Sequence, residues 1–262
     1  MREERYDIGY AMSGGSIKGF AHLGMIQSLI EHDIRPDIIS GVSAGAMIGV
    51  FVAEGWEPYR VLDLFRDKKV RDFASISMSR RGVLNQDEFV DFLRTNLKTK
   101  NIEELNIPTI ITATDLDHGR SVHFRTGEIA TRVAASCCMP VLCCPIEIDG
   151  TNYVDGGVFM NLPVSTLRGI CSKVVALNVS PMLARKYRQN MVSIAMRSYN
   201  FIFQANTLPQ KKEADLLIET YGLQDYRNSA LDKIDEIFRK GYLAANSTLN
   251  RLMALIICII LL

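Results

Sequence analysis

The chain has 262 residues, of which 48% are hydrophobic and 23% are charged, with a formal net charge of +1 at pH 7. A chain of this length and apolar content can bury a large core as one compact unit. The near balance of positive and negative charge gives no electrostatic basis for binding nucleic acid, so no nucleic-acid partner is expected.

Segments with strand and helix patterns alternate along the sequence, which predicts an α/β sandwich. The predicted strands cover residues 7–13, 36–42, 109–115, 146–154, 173–180 and 215–219. The predicted helices cover residues 19–32, 44–54, 57–66, 86–98, 128–138, 184–205 and 229–250. Residues 121–125 are expected to pair with 109–115 as a hairpin, and Asn85 is a candidate helix cap. We expect a single domain over residues 1–250.

A glycine-rich loop, Ser13-Gly14-Gly15-Ser16-Ile17-Lys18-Gly19, joins the first predicted strand to the first predicted helix. Such a loop presents backbone N–H groups that can hold a phosphate or an oxyanion. Ser16 stands at the middle glycine of the dinucleotide pattern G-x-G-x-x-G, and no G-K-[ST] follows. Since neither nucleotide pattern fits, we interpret the loop as an oxyanion hole.

The pentapeptide Gly41-Val42-Ser43-Ala44-Gly45 has the form G-x-S-x-G and lies between an apolar strand and a small-residue helix. A sharp strand-to-helix turn lifts a serine hydroxyl clear of a sheet, and glycines let neighbouring backbone pass closely. The pentapeptide alone also fits a structural turn. Its flanking segments favour Ser43 as a nucleophile for acyl transfer.

The base that would activate Ser43 is more consistent with a carboxylate than with a histidine. The four histidines all lie at or before position 123, whereas α/β-hydrolases place theirs late in the chain. Asp155, followed by Gly156 and Gly157, is the best candidate. An Asp-Gly pair alone is an ordinary turn former.

The three motifs, G-G-x-x-K-G, G-x-S-x-G and D-G-G, resemble in order and spacing those of the patatin-like phospholipase family. Further segments resemble the family's helix after the glycine loop and its helix-to-proline segment, at Phe20–Gly24 and Arg132–Pro140. The resemblance extends over about residues 5–247. It departs at Ser16, where the family usually has glycine.

The resemblance implies a three-layer α/β/α sandwich with a mostly parallel, mixed central sheet and a nucleophile elbow. It implies a catalytic dyad of Ser43 and Asp155 that forms an acyl-enzyme without a metal or cofactor, and hydrolysis of a phospholipid, a lysophospholipid or another lipid or acyl ester. It assigns the oxyanion and substrate-binding loop to Gly14, Gly15, Ser16, Lys18 and Gly19, the elbow glycines to Gly41 and Gly45, and the D-G-G loop to Gly156 and Gly157. His22 is interpreted as a helix-packing residue.

Two other functions stay open on the sequence. A histidine-dependent α/β-hydrolase esterase would require His118 or His123 to meet Ser43. A non-catalytic protein that keeps the loops to bind an acyl ligand is the second alternative.

The six cysteines include the adjacent pairs Cys137-Cys138 and Cys143-Cys144. These pairs lack the C-x-x-C spacing of zinc sites, so we expect buried cysteines that act as small hydrophobes and no metal. The N-terminal segment Met1-Arg2-Glu3-Glu4-Arg5 is charged and has no apolar h-region, which predicts no cleaved signal and a cytoplasmic location.

The segment from Leu252 to Leu262 is entirely apolar, and we set residues 251–262 apart as a C-terminal tail. Eleven residues are too few to span a bilayer, which takes about 20. Three interpretations remain: docking on the core, self-association into a homo-oligomer, or peripheral contact with a membrane.

Overall fold

The computed structural model of the protein describes residues 6–69, 72–73, 75–76, 82, 84–181, 187, 189–224, 226 and 230–260. Its strands are β1 (Tyr6–Met12), β2 (Ile38–Val42), β3 (Ser75–Ile76), β4 (Leu84–Asn85), β5 (Thr109–Asp115), β6 (Arg120–Phe124), β7 (Ile146–Ile148), β8 (Thr151–Asp155), β9 (Cys171–Asn178) and β10 (Leu216–Glu219). Its α-helices are α1 (Phe20–Glu31), α2 (Ala44–Ala53), α3 (Pro58–Arg66), α4 (Asp87–Asn96), α5 (Ile129–Cys137), α6 (Met191–Lys212) and α7 (Ile234–Ile260).

The central sheet has the strand order β10-β9-β1-β2-β5-β8-β7, with β6 also paired to β5, while β3 and β4 form a separate pair. Strands β10, β9, β1, β2 and β5 are parallel to one another, and β6, β7 and β8 pair antiparallel. Strands β2 and β5 are buried along their whole length, as parallel strands covered on both faces must be. The mixed, mostly parallel sheet is confirmed.

Helical layers of unequal thickness cover the two faces of the sheet. On one face, side chains such as Tyr10 and Met12 join a large core with helices α1 to α5 and α7. On the other, Ala11 and its neighbours pack against a smaller cluster that includes Leu162 and Leu167. Helix α6 lies against the chain segment that contains Leu162 and Leu167, because Gln210 of α6 accepts a hydrogen bond from the Ser165 amide. The α/β/α sandwich is therefore confirmed, with one thin outer layer.

Strand β5 pairs with two different strands along one edge. Thr112 lies opposite Val42 of β2, and the next residue, Ala113, lies opposite Asp155 of β8. Strand β6 pairs with the opposite edge of β5, so β2 and β8 share one edge. Along that edge, the pairing with β8 starts at the residue after the pairing with β2 stops. The C-terminal ends of β2 and β8 consequently meet at one point of the sheet.

Two predicted element boundaries were wrong. The strand predicted over 146–154 is a hairpin whose turn, Asp149-Gly150, has positive φ at both residues, as a two-residue turn of this kind requires. Asn85 does not cap α4: it ends β4, and its side chain accepts a hydrogen bond from the Gln86 amide.

The two last helices also differ from their predicted ranges. The helix predicted over 184–205 runs from Met191 to Lys212, with Pro209 in its last turn; residues 184–186 lie outside the described part. Helix α7 continues to Ile260 instead of ending at residue 250, so the described part of the tail is helical.

The tail side chains of α7 that the structure describes, at residues 251–255 and 258, are exposed. Leu249 is buried, but Leu252, Met253 and Leu255 are 40%, 44% and 60% exposed. Docking of these three residues on the core, one of the interpretations of the tail, is therefore excluded. Among the described residues, no helix combines the length and apolar character needed to cross a bilayer.

Candidate active site

Ser43 lies in a sharp turn between β2 and α2, with φ 52° and ψ −123°. This region of backbone space is costly for a residue with a side chain, by about 1–3 kcal/mol. The turn is tight enough that a Cβ on Gly45 would collide with the Met12 carbonyl, and one on Gly41 would lie 2.6 Å from the Ala46 nitrogen. These close approaches account for both glycines of the pentapeptide.

A buried hydrogen-bond chain holds the Ser43 backbone. The Ser43 N–H donates to Ser136 Oγ at 2.7 Å, and the Ser136 hydroxyl donates to the Thr112 carbonyl at 2.7 Å. Ser136 is completely buried on α5. Sequence reasoning missed Ser136, because a serine in the small-residue run Ala134-Ala135-Ser136 resembles helix packing.

Asp155 lies at the end of β8 and is 1% exposed. Its Oδ1 accepts a hydrogen bond of 2.8 Å from the Gly157 N–H. Burial raises the pKa of Asp155 to about 6, against the lowering effect of the Gly157 N–H and of the neighbouring Ser43 side chain. The structure thus brings the two predicted residues, Ser43 and Asp155, into contact.

The backbone around Asp155 is held by neighbouring elements. The Asp155 N–H donates to the Cys138 carbonyl at 2.7 Å, and the Thr114 hydroxyl donates to the Asp155 carbonyl at 3.0 Å. A Cβ on Gly156 would collide with the Thr112 carbonyl, which explains the glycine that follows the aspartate.

Helix α6 braces the D-G-G loop. The Asn206 Nδ2 donates to the Gly157 carbonyl at 2.8 Å, and its Oδ1 accepts from the Asn161 N–H at 2.9 Å. The Phe203 ring fills the space that a side chain at Gly157 would need. Sequence reasoning missed Asn206, because nothing in the helical pattern distinguishes it from an exposed polar residue.

The glycine-rich loop lies beside Ser43. A Cβ on Gly14 would come within 3.2 Å of the Ser43 Cβ. The Gly14 N–H donates to the Asn161 carbonyl at 3.0 Å and is not free for a ligand. In the part of the chain that the structure describes, the amides of Gly15 and Ser16 have no acceptor. The available donors in the predicted set are therefore Gly15 and Ser16.

The remaining residues of the loop shape it from behind. Ser16 has φ 51°, the left-handed region that its usual family counterpart, glycine, enters without strain. Lys18 lies in a 3₁₀ turn, where its amide donates to the Gly15 carbonyl. A Cβ on Gly19 would lie 2.5 Å from the Ala44 Cβ, so this glycine packs against the first residue of α2.

His22 is completely buried on α1 beneath the loop, and its Nε2 lies 2.8 Å from the Ser13 carbonyl oxygen. Burial lowers the pKa of His22 to about 4, so the ring is neutral near pH 7 and donates this hydrogen bond from Nε2. The residue packs as expected and also anchors the start of the loop.

The other candidate histidines bind elsewhere. His118 contacts the Asp115 carboxylate at 3.0 Å, and His123 Nδ1 lies 3.0 Å from the Thr112 hydroxyl. Within the described residues, no hydrogen bond connects either ring to Ser43. The geometry does not favour a histidine-dependent esterase.

A cavity of about 240 Å³ opens beside Ser43. Its polar wall includes Ser16 and Gln86. Most of its lining is aromatic or aliphatic: Ile17, Phe20, Ala44, Met47, Phe65, Phe73, Phe89 and Leu231.

The cysteines divide into different environments. Cys138 and Cys171 are buried, as predicted, whereas Cys258 is exposed. Cys137 and Cys143 line the cavity together with Met139. The described residues contain no cluster of histidine, cysteine and carboxylate side chains that could hold a metal ion.

Comparison with known proteins gives consistent matches. The family model for patatin-like phospholipase matches residues 10–168. An uncharacterised NTE family protein of Mycobacterium tuberculosis is 32% identical over 170 residues, 62% of this chain and 46% of that protein. The lysophospholipase NTE1 of Cryptococcus neoformans is 28% identical over 172 residues, 62% of this chain and 10% of that protein. The match to a solved structure, VipD from Legionella pneumophila, covers 94% of this chain and 67% of the VipD chain, at 15% identity and a TM-score of 0.49.

The chain thus spans about half the length of its mycobacterial relative and a small part of the fungal one. The matched family region contains the glycine-rich loop, the elbow and the D-G-G loop, together with most of the central sheet. The chain belongs to the patatin-like phospholipase family.

Proposed function

We propose that the protein is a serine acyl hydrolase in which Ser43 is the nucleophile and Asp155 the general base. The observation that carries the proposal is that the Ser43 side chain, at a strained strand-to-helix turn, lies beside the buried Asp155 carboxylate. A nucleophile in contact with its base, with unpaired backbone amides beside it, is the arrangement that acyl transfer needs.

In the first half of the reaction, Ser43 Oγ attacks the ester carbonyl and its proton passes to Asp155. The amides of Gly15 and Ser16 stabilise the negative charge on the carbonyl oxygen. The protonated Asp155 then donates to the leaving alkoxide, which departs as an alcohol. In the second half, Asp155 takes a proton from water, which attacks the acyl-enzyme and releases the acid.

The raised pKa of Asp155 supports its role as a base. An aspartate with an ordinary pKa of about 4 is a weak base toward a serine hydroxyl. A pKa of about 6 makes the carboxylate more basic and leaves it largely ionised at pH 7.

We propose a lipid ester as the substrate, in the class of phospholipids and lysophospholipids. The apolar cavity beside Ser43 suits an acyl chain and offers few groups that would bind a polar one. The name of the fungal relative, a lysophospholipase, agrees with this class. The exposed apolar side chains at Leu252, Met253 and Leu255 would contact the lipid surface that holds the substrate.

The experiment is intact-mass analysis after exposure to a long-chain fluorophosphonate, which reacts with activated serines. We expect one adduct on the native protein and none on Ser43→Ala. Ser28→Ala is a matched control, because the buried Ser28 hydroxyl has no hydrogen-bond partner in the described part. Absence of an adduct on the folded native protein would favour the non-catalytic acyl-binding alternative. An adduct followed by turnover of lysophospholipid would support the substrate class.

A further inference from the structure

A thiol of the cavity wall, Cys143, has the buried thiol Cys138 as its neighbour. Cys138 follows α5 and is completely buried, and Cys143 lies five residues later and lines the cavity beside Ser43. The two side chains interact with each other. The Cys138 Sγ also lies 3.0 Å from the Cys144 carbonyl oxygen. All cysteines of the described residues are free thiols.

The segment between the two cysteines is fixed at several points. The Cys143 N–H donates to the Met139 carbonyl at 2.9 Å. The Leu84 N–H donates to the Leu142 carbonyl, and the Cys144 N–H donates back to the Leu84 carbonyl. This pairing with β4 keeps Cys143 beside Cys138 at the edge of the cavity.

The two thiols differ in reactivity. Cys143 lines the cavity whereas Cys138 is completely buried, so an oxidant in the cavity meets Cys143 first and Cys138 is placed to react second. The interaction with Cys138 lowers the pKa of Cys143 against the effect of burial, and the same interaction and burial raise the pKa of Cys138. A lower pKa favours the thiolate, which is the nucleophilic form of cysteine.

We propose that Cys143 and Cys138 are a redox-active pair that a hydroperoxide oxidises to a disulfide. The Cys143 thiolate attacks the hydroperoxide, whose O–O bond breaks; an alcohol or water leaves, and Cys143 becomes a sulfenic acid. The Cys138 sulfur then attacks the Cys143 sulfur, its proton leaves with the hydroxyl, and water is released. Overall the two thiols lose two electrons and the hydroperoxide gains them.

The oxidant can be hydrogen peroxide or a hydroperoxide on an acyl chain in the cavity, since both carry the same reactive group. Disulfide formation would also affect the proposed catalytic pair. The Cys138 carbonyl accepts a hydrogen bond from the Asp155 N–H, and the Cys137 side chain lies beside Ser43. Formation of the disulfide is measured by mass spectrometry and needs no assay of hydrolysis, so the inference stands independently of the proposed function.

The test uses the full chain with Cys258→Ser, which removes the exposed thiol. One sample is treated with hydrogen peroxide and another with a fatty-acid hydroperoxide, and both are mapped by alkylation and peptide mass spectrometry. We expect loss of two hydrogen atoms and protection of Cys138 and Cys143 alone. Cys144→Ser, introduced into the Cys258→Ser protein, is the matched control and should oxidise like the Cys258→Ser protein.

The variants separate the two steps. Cys143→Ser should lower the rate of thiol loss by about tenfold or more, and Cys138→Ser should stop at a sulfenic acid that a dimedone probe traps. Faster reaction with the fatty-acid hydroperoxide would support oxidation by an acyl chain in the cavity, and faster reaction with hydrogen peroxide would support the small oxidant. Oxidation of other cysteines in preference, or no Cys138–Cys143 disulfide with either oxidant, would overturn the proposal.

Discussion

The Ser136 hydroxyl accepts a hydrogen bond of 2.7 Å from the backbone N–H of Ser43, and thereby holds the most strained residue of the proposed dyad. We expect Ser136→Ala to lower the free energy of unfolding by about 1–3 kcal/mol, because the Ser43 N–H loses its buried acceptor. The rate of fluorophosphonate labelling should fall about tenfold or more as the serine leaves its reactive position.

The measurements are a denaturant titration and time-resolved intact mass. Ser28→Ala removes a buried serine hydroxyl that has no partner in the described part, and should leave the labelling rate unchanged. Labelling of folded Ser136→Ala at the native rate would show that this hydrogen bond does not position Ser43.

The pH dependence of acylation should follow the ionisation of Asp155. Burial raises the pKa of this carboxyl to about 6, and only its ionised form can accept the Ser43 proton. We expect the fluorophosphonate labelling rate to fall about tenfold for each pH unit below 6. A labelling rate that stays constant between pH 7 and pH 5 in the folded protein would exclude Asp155 as the base.

Stability should depend on pH through the same group, with a defined sign. In the folded state Asp155 has a pKa of about 6, above the value of about 4 expected in the unfolded chain. Its protonated form is therefore favoured by folding, and this contribution, present below pH 4, is lost as the pH rises through 6. The loss amounts to about 3 kcal/mol by pH 7.

Asp155→Asn has no such titration. We expect the free energy of unfolding of this variant, relative to the native protein, to rise between pH 4 and pH 7. Denaturant titrations at both values measure the difference. If the difference in free energy of unfolding does not change with pH, the folded protein stabilises the Asp155 carboxylate to the same extent as water does, and burial does not raise its pKa.

Asn206 on α6 should matter for catalysis although it does not touch the substrate cavity. Asn206→Ala removes the donor to the Gly157 carbonyl and the acceptor of the Asn161 N–H. We expect the acylation rate to fall at unchanged substrate affinity, because the loop that holds Asp155 loosens. Gln210→Ala is the control, since Gln210 binds the Ser165 amide one helical turn away. Equal effects of the two variants would indicate a general loss of α6 packing.

Deletion of residues 252–262 should weaken binding to lipid vesicles without unfolding the protein. The deletion retains the buried Ala245 and Leu249 of α7 and removes the exposed Leu252, Met253 and Leu255. Co-sedimentation with phosphatidylcholine vesicles measures the binding. Leu243→Ser, which alters another exposed leucine of α7, is the control and should bind as before. If the deletion instead changes only the oligomeric state in gel filtration, the tail serves self-association.

The sequence motifs predicted the alternating architecture and the pairing of β5 with β6, because periodicity and turn residues are local signals. They offered Asp155 as the best candidate base for Ser43, and the resemblance implied that the two residues form a dyad. The physical cause of their meeting is that Thr112 and Ala113 of β5 pair with β2 and β8 in succession, a long-range relationship that no local pattern contains.

The supporting side chains were not predictable for the same reason. Ser136 and Asn206 lie on helices where their residue types are unremarkable, and their roles depend on which loops pack against them. The extent of α6 was also misjudged, because the helix continues past the predicted end at residue 205 to Lys212, with Pro209 in its last turn.

The succession of β2 and β8 along β5 anchors the turn that carries Ser43 and the strand end that carries Asp155 in one sheet. The cavity beside Ser43, by contrast, is walled by helix side chains and by the loop that pairs with β4. Under the proposed function, residues such as Phe73, Phe89 and Leu231 can be exchanged to admit other acyl groups while the proposed dyad keeps its place in the sheet. Chain-length preference in such a protein is separable from catalytic competence, and the cavity wall is the part to redesign.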